Sequence, residues 1–287
     1  MRYCFIRFPG GKSKALTLSY DDGCIHDRKL IETLNRYNIK TTLNVNSGFM
    51  AHQGDEWHLT AEELGKLAES GGHEIAVHGA HHIAPGKASA VNGIADILDC
   101  RRDLERAYGK IIRGMAYPDT GITAITAGVS KEQIKSYIKS LGIVYSRTLG
   151  ADNDSFSLPE DWFEWIPTAH HINPMLMTYL DKFLNAEPRN NYIAHQNSQL
   201  FYLWGHSFEY ENNKNWDLLE EFCKKAGNRD DIWYATNIEI YDYVEAFRSL
   251  RFSVDNNLVY NPSLFTVWFT EDSELFSIKP GQTLKIS

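Results

Sequence analysis

Between residues 15 and 250 the chain alternates short β-type runs with amphipathic helical ones, an order that restricts it to folds built on a mostly parallel sheet. The β-type runs fall at 15–20 (ALTLSY), 41–45, 74–77, 111–117, 143–146, 200–204 and 232–235. Between them, apolar residues recur at helical spacing. The first such stretch runs from Ile25 to Tyr37. Thr60 and Glu63 form a capping-box pair that opens the second, and Gly109 closes a long helix over 88–108. Further helices are predicted from Ser130 to Ser140 and over 175–184, 215–225 and 238–250. Seven strands come close to a closed barrel, although the pattern alone does not exclude an open doubly wound sheet.

From Phe252 onward the pattern is β without helices: SVDNNLVY, SLFTVWF, ELFSI and PGQTLKIS. Fewer than about forty residues cannot bury an independent core, so residues 251–287 are expected to form a C-terminal β-rich extension packed on a barrel of residues 1–250.

The charge balance narrows the partners. The formal net charge is −8 and no Lys/Arg block is present, which argues against nucleic acid and anionic membrane and favours a neutral substrate. No apolar run is long enough to span a bilayer. The start, MRYCFIRFPGGK, lacks the apolar core of a secretory leader, so with Met1 as natural start the expectation is a cytoplasmic protein. Cys4, Cys24, Cys100 and Cys223 are scattered, as reduced thiols are. Nothing in the pattern indicates an oligomeric state.

Three clusters carry chemistry, each at the end of a predicted strand. Asp21 and Asp22 follow the first strand and precede Gly23. As a pair they suit either a tight turn or an active site, and barrel enzymes place working groups at this end of their strands. His78, His81 and His82 follow the strand at 74–77; helical spacing brings His78 and His82 to one face, with His81 an alternative to His82. His206 follows the strand at 200–204. His73 reads as structural, and the pair His170-His171 as structural or rim-located. Two histidines and one carboxylate form an open, catalytic type of metal site. They leave one aspartate free as a general base and His206 free to protonate a leaving amine.

The motifs TLSYDDG (17–23) and HGAHH (78–82) resemble those of the polysaccharide-deacetylase family, carbohydrate esterase family 4, over roughly residues 15 to 250. The resemblance implies a distorted (β/α)7 barrel and hydrolysis of N-acetyl groups on an amino sugar or oligo- or polysaccharide. It also implies a bound Zn²⁺, or another divalent transition ion such as Co²⁺ or Ni²⁺. By motif, Asp21 is the base, Asp22, His78 and His82 the metal ligands, and His206 the general acid. The backbone N–H of Asp119 becomes the oxyanion donor and Tyr117 a pocket wall. The chain departs from the family at Ala116, where an arginine usually steadies the base, with Arg113 the nearest substitute. No clean fourth motif is present; Asp161, Trp162 and Trp165 are its candidates, and Glu209 is a candidate to orient His206. Two rivals share the sequence: a hydrolase of small cyclic amides or ureides, and a non-catalytic carbohydrate-binding protein.

Overall fold

β1 (Cys4–Arg7) leads into the central strand β2 (Lys14–Asp21), all eight of whose residues are buried. Side chains alternate across a strand, so Leu16, Leu18 and Tyr20 face the helical layer while Thr17, Ser19 and Asp21 face inward. The inner face is polar and satisfied. Thr17 donates to Asn237 (2.8 Å), and Asn44 Nδ2 donates to Ser19 (2.7 Å) and to Asp21 Oδ1 (2.8 Å). The computed structural model describes residues 3–51, 55–126, 128–150, 155–186 and 197–286.

The elements after β2 are α1 (Asp27–Arg36), β3 (Thr42–Val45), α2 (Ala61–Gly71), β4 (Glu74–Val77), α3 (Ala90–Tyr108), β5 (Gly114–Ala116), α4 (Lys131–Ser140) and β6 (Tyr145–Arg147). β7 (Ala169–His170), α5 (Leu176–Leu184), β8 (Gln199–Gly205), α6 (Ser207–Asn212), α7 (Trp216–Ala226), β9 (Ile232–Tyr234) and α8 (Asn237–Arg248) complete the alternation. The Thr60/Glu63 capping box opens α2, Ser130 with Gln133 opens α4, and Gly109 in the left-handed region closes α3. β5 is shorter than the predicted 111–117, because Ile111 is exposed and Ile112 N–H turns to Glu105.

The main sheet runs β6-β5-β4-β3-β2-β8-β7, every pair parallel. It curls until residues 165–170 join its two ends. Trp165 N–H donates to Ser146 O (3.2 Å) and Thr148 N–H to Trp165 O (3.0 Å), while Thr168 N–H donates to Tyr202 O (2.8 Å). The result is a distorted (β/α)7 barrel. Its distortion is visible along one edge of β2, where β9 pairs with Lys14–Leu16 and β3 takes over from Ser19. The seventh barrel strand is therefore β7, and β9, counted among the seven in the sequence pattern, is an added branch.

Strands β10 (Arg251–Phe252), β11 (Leu258–Tyr260), β12 (Val267–Glu271), β13 (Glu274–Ile278) and β14 (Thr283–Lys285) form two antiparallel three-stranded sheets, β10-β11-β14 and β1-β12-β13. A satellite core of Val259, Val267, Phe269, Ile278 and Ile286 packs on Ala246 of α8. Tyr243 Oη of α8 ties the junction, donating to Arg7 O (2.7 Å) and accepting from Trp268 N–H (2.9 Å). Among the described residues, no helix is long and apolar enough to cross a membrane.

One buried acid in this frame has a measurable consequence. Asp27, in the first turn of α1, accepts from Ser207 Oγ (2.6 Å) and has one oxygen without a partner; burial raises its pKa to about 7. The folded chain therefore holds a proton that the unfolded chain releases near pH 4, and Asp27 erodes stability as pH rises from about 4 to about 7. Asp27→Asn is expected to be more stable than the parent at pH 8 by about 2–4 kcal/mol. The gap should close toward pH 4, checked by denaturant unfolding at both values.

Candidate active site

Strand order puts the C-terminal ends of β2, β4, β6 and β8 around one cleft of about 190 Å³, lined by Asp21, His78, His82, Tyr117, Asp119, Arg147, Leu149, Trp204 and His206. Asp21 is the last residue of β2. Asp22 follows at φ 80°, a left-handed conformation that a non-glycine residue rarely adopts. It is held there by its own N–H donating to Asn44 O (3.0 Å) and by Gly23, also left-handed, behind it. The strain lies in the residue whose carboxylate turns toward the histidines.

His78 to His82 is a loop, and the expected helical face is absent. Gly79 (φ 75°) and His82 (φ 56°) instead reverse the backbone so that the two imidazoles meet, with ring centroids 4.9 Å apart. Gly79 stands where the family motif has a hydroxyl residue; a Cβ there would collide with Asp96. Asp96, projecting from α3, accepts from His81 N–H (2.8 Å), and Asn46 Nδ2 donates to His78 O (2.5 Å), so the loop is pinned from both sides. His81 turns its ring outward to Asp96 (3.2 Å) and leaves the cleft to His82.

Asp22 Oδ1 lies 3.6 Å from His78 Nε2 and 3.8 Å from His82 Nε2, and the three ligand atoms all fall within 4.8 Å of one another. Two imidazole nitrogens and a carboxylate oxygen are a donor set that suits Zn²⁺ and also Co²⁺ or Ni²⁺. His78 Nδ1 sits 2.9 Å from Ala116 O, which makes Nδ1 the protonated nitrogen and aims the Nε2 lone pair at the group. The residues fit a divalent transition ion.

Asp21 is buried beside this set, with Oδ2 3.8 Å from His78 Nε2. Burial alone would raise its pKa, but Arg147, His78, His206 and the Asn44 hydrogen bond outweigh it and hold the carboxyl below its ordinary value. Arg147 ends β6, is 1% exposed, donates from Nη2 to Asp21 Oδ2, and stacks its guanidinium 4.3 Å from the Trp204 ring. The sequence reading did not name it. It occupies the space that Arg113 was considered for; Arg113 lies at the other end of β5 in a bidentate pair with Asp242 (2.6 and 2.9 Å).

His206 faces Asp21 and Asp22 across the cleft, its Nε2 3.9 Å from an oxygen of each. Glu209 closes a capping box at the start of α6, accepting from His206 N–H (3.1 Å) and lying 3.2 Å from His206 Nδ1. Burial would lower the His206 pKa, yet Glu209, Asp21 and Asp22 together raise it. Glu209→Gln should therefore move the loss of activity on the alkaline side of the pH–rate profile to lower pH, because His206 then gives up its proton earlier. An unchanged alkaline limb would show that Glu209 does not govern His206.

Tyr117 is buried with its hydroxyl donating to Phe163 O (3.1 Å), so only its ring contributes to the cleft. Asp119 (φ 48°) turns its side chain out to Lys87 (2.6 Å). Asp161 pairs with Lys135 and Trp162 with Glu245, and Trp165 is buried against Tyr145 and Tyr202; none of the three lines the cleft. His73 is hydrogen-bonded between Thr41 N–H (3.1 Å) and Asn35 (3.0 Å), a structural role.

The polysaccharide deacetylase family model matches residues 9–140, a span that includes Asp21, Asp22, His78, His82, Tyr117 and Asp119 and ends before Arg147 and His206. No curated protein matches the chain in sequence. Among solved structures, the chain is similar to a Mycobacterium smegmatis protein assigned to the polysaccharide deacetylases, at 19% identity and TM-score 0.57, covering 85% of this chain and 94% of that one. Puue allantoinase matches at 13% identity and TM-score 0.55, over 81% of this chain and 90% of that one. The Streptococcus pyogenes deacetylase PplD, solved with acetate, matches at 18% identity and TM-score 0.44; the chain covers 61% of its length, and 52% of this chain is aligned. The resemblance drawn from the two motifs and the expected barrel are both borne out.

Proposed function

We propose that this chain, which the polysaccharide deacetylase family model matches over residues 9–140, is a metal-dependent hydrolase that removes an N-acetyl group from an amino sugar or its oligo- or polysaccharide. One observation carries the reading: beside a two-histidine, one-carboxylate set stand a second aspartate, Asp21, 3.8 Å from His78 Nε2, and His206, 3.9 Å from Asp22 Oδ2. Residues 1–250 are assigned to the catalytic barrel and 251–287 to its β-rich extension, except that β1 near the start of the chain pairs with β12 of the extension.

Asp22, His78 and His82 would hold the ion, which when bound supplies Lewis-acid polarisation of the amide carbonyl. Asp21, kept ionised by Arg147 and Asn44, removes a proton from the hydrolytic water as its oxygen adds to the carbonyl carbon. The backbone N–H of Asp119 is assigned as a donor to the developing oxyanion, and the Tyr117 ring as a wall that keeps water out. As the C–N bond breaks, His206 Nε2 protonates the departing nitrogen, leaving acetate and a free amine. Arg147 is a positioning residue: its charge and its stacking on Trp204 fix which oxygen of Asp21 faces the reaction.

A second reading, hydrolysis of a small cyclic amide or ureide with the same residues in the same roles, draws support from the cleft volume of about 190 Å³, room for little more than one ring. A substrate panel separates the two. Acetate release from N-acetylglucosamine and its oligomers, with no ring opening of hydantoin-type amides, is the expected result. Ring opening without acetate release overturns the deacetylase reading and keeps the site.

A further inference from the structure

On the other side of the His206 ring from Asp22 stands a second group of metal-ligating side chains. His170 ends β7, His171 follows it, and Glu209 lies in the first turn of α6. Their ligand atoms fall within 4.8 Å of one another; His170 Nε2 is 3.3 Å and His171 Nε2 3.1 Å from Glu209 Oε2. His171 is the most telling member. It is fully buried, stacked on Tyr210 with centroids 4.1 Å apart and on Tyr20 at 5.6 Å, and packed so closely on Gly205 that a Cβ there would strike its ring. Neither of its ring nitrogens has a hydrogen-bond partner, so Nε2 is near Glu209 Oε2 without being aimed along a hydrogen bond.

A buried polar nitrogen left unsatisfied on both sides of its ring is costly, and native chains rarely retain one without a ligand or water to meet it. The spacing has a simple explanation. Two donors each about 2.1 Å from one ion stand roughly 3 to 3.5 Å apart, and each then points at the ion, off the line to the other donor. We propose that His170, His171 and Glu209 form a second divalent-cation site of the zinc type, distinct from the Asp22–His78–His82 group. It joins β7, the strand that completes the barrel, to α6, and Glu209 keeps His206 as its other partner.

The test counts ions on the full chain. Protein stripped by chelator is dialysed against Zn²⁺, and bound zinc is measured by plasma mass spectrometry for the parent, Asp22→Ala, His170→Gln and the double variant. His170, half-buried at the rim, is substituted in place of the fully packed His171, so that folding is preserved. The expected counts are two, one, one and none. Zinc should also raise the melting temperature of Asp22→Ala, and that rise should vanish in the double variant. One ion in the parent, lost in Asp22→Ala and kept in His170→Gln, overturns the second site. One ion kept in Asp22→Ala and lost in His170→Gln upholds the second site and overturns the assignment of Asp22.

Discussion

Asp21→Asn is expected to lower the deacetylation rate about 10²–10⁴-fold, the range typical for loss of a general base, while zinc content stays at the parent level. The amide side chain keeps the acceptor for Asn44 and the shape of the β2 end, but it cannot take a proton from water. A second consequence follows from Arg147. At 1% exposure its guanidinium has Asp21 as its buried anionic partner, and removing that charge leaves an uncompensated buried cation. Breaking a buried pair from one side costs about 3–5 kcal/mol, so Asp21→Asn should also melt earlier. Rate and melting temperature measured on the same preparation, at a temperature where circular dichroism shows the variant folded, separate the two effects. Near-parent turnover would mean that another group is the base.

Asp22→Ala is expected to lower zinc affinity at the first site by more than about 10²-fold, beyond the loss usual for an outer-shell partner, and to abolish turnover with it. The fold should tolerate the change. Asp22 is half-exposed at a turn, and its φ of 80° is unfavourable for any residue but glycine. Alanine keeps that conformational penalty, whereas Asp22→Gly relieves it; the glycine variant should lose metal equally and be more stable than Asp22→Ala by up to about 1–2 kcal/mol. Equilibrium zinc binding and thermal melting of the two variants check both parts. Equal stability would show that the turn carries no strain.

What could be read from sequence follows from where each signal is stored. The Thr60/Glu63 and Ser130/Gln133 boxes and the left-handed Gly109 are local chemistry, and α2, α4 and the end of α3 lie where those residues place them. β7 gave no such signal: two residues, Ala169 and His170, are too few for a period, and their pairing with β8 depends on how the curled sheet closes. α6 is only six residues long, and its box uses His206 in place of Ser or Thr. At the site, Asp21, Asp22, His78 and His206 announced themselves by standing at strand ends. Arg147 stands at the end of β6 in the same way, one residue beyond the run at 143–146, and strand-end position was the signal that could have found it. His78 and His82 were paired for a geometric reason that the backbone does not use. Gly79 and a left-handed His82 bring them together, a reversal that residue spacing does not encode.

The most direct test is metal content of the purified chain, with acetate release from N-acetylglucosamine oligomers assayed before and after chelation. The account predicts zinc-type metal bound through Asp22, His78 and His82, acetate release that stops on chelation, and recovery on adding Zn²⁺ or Co²⁺ back. Acetate release indifferent to chelation, or a chain that takes up no metal on reconstitution, would contradict it.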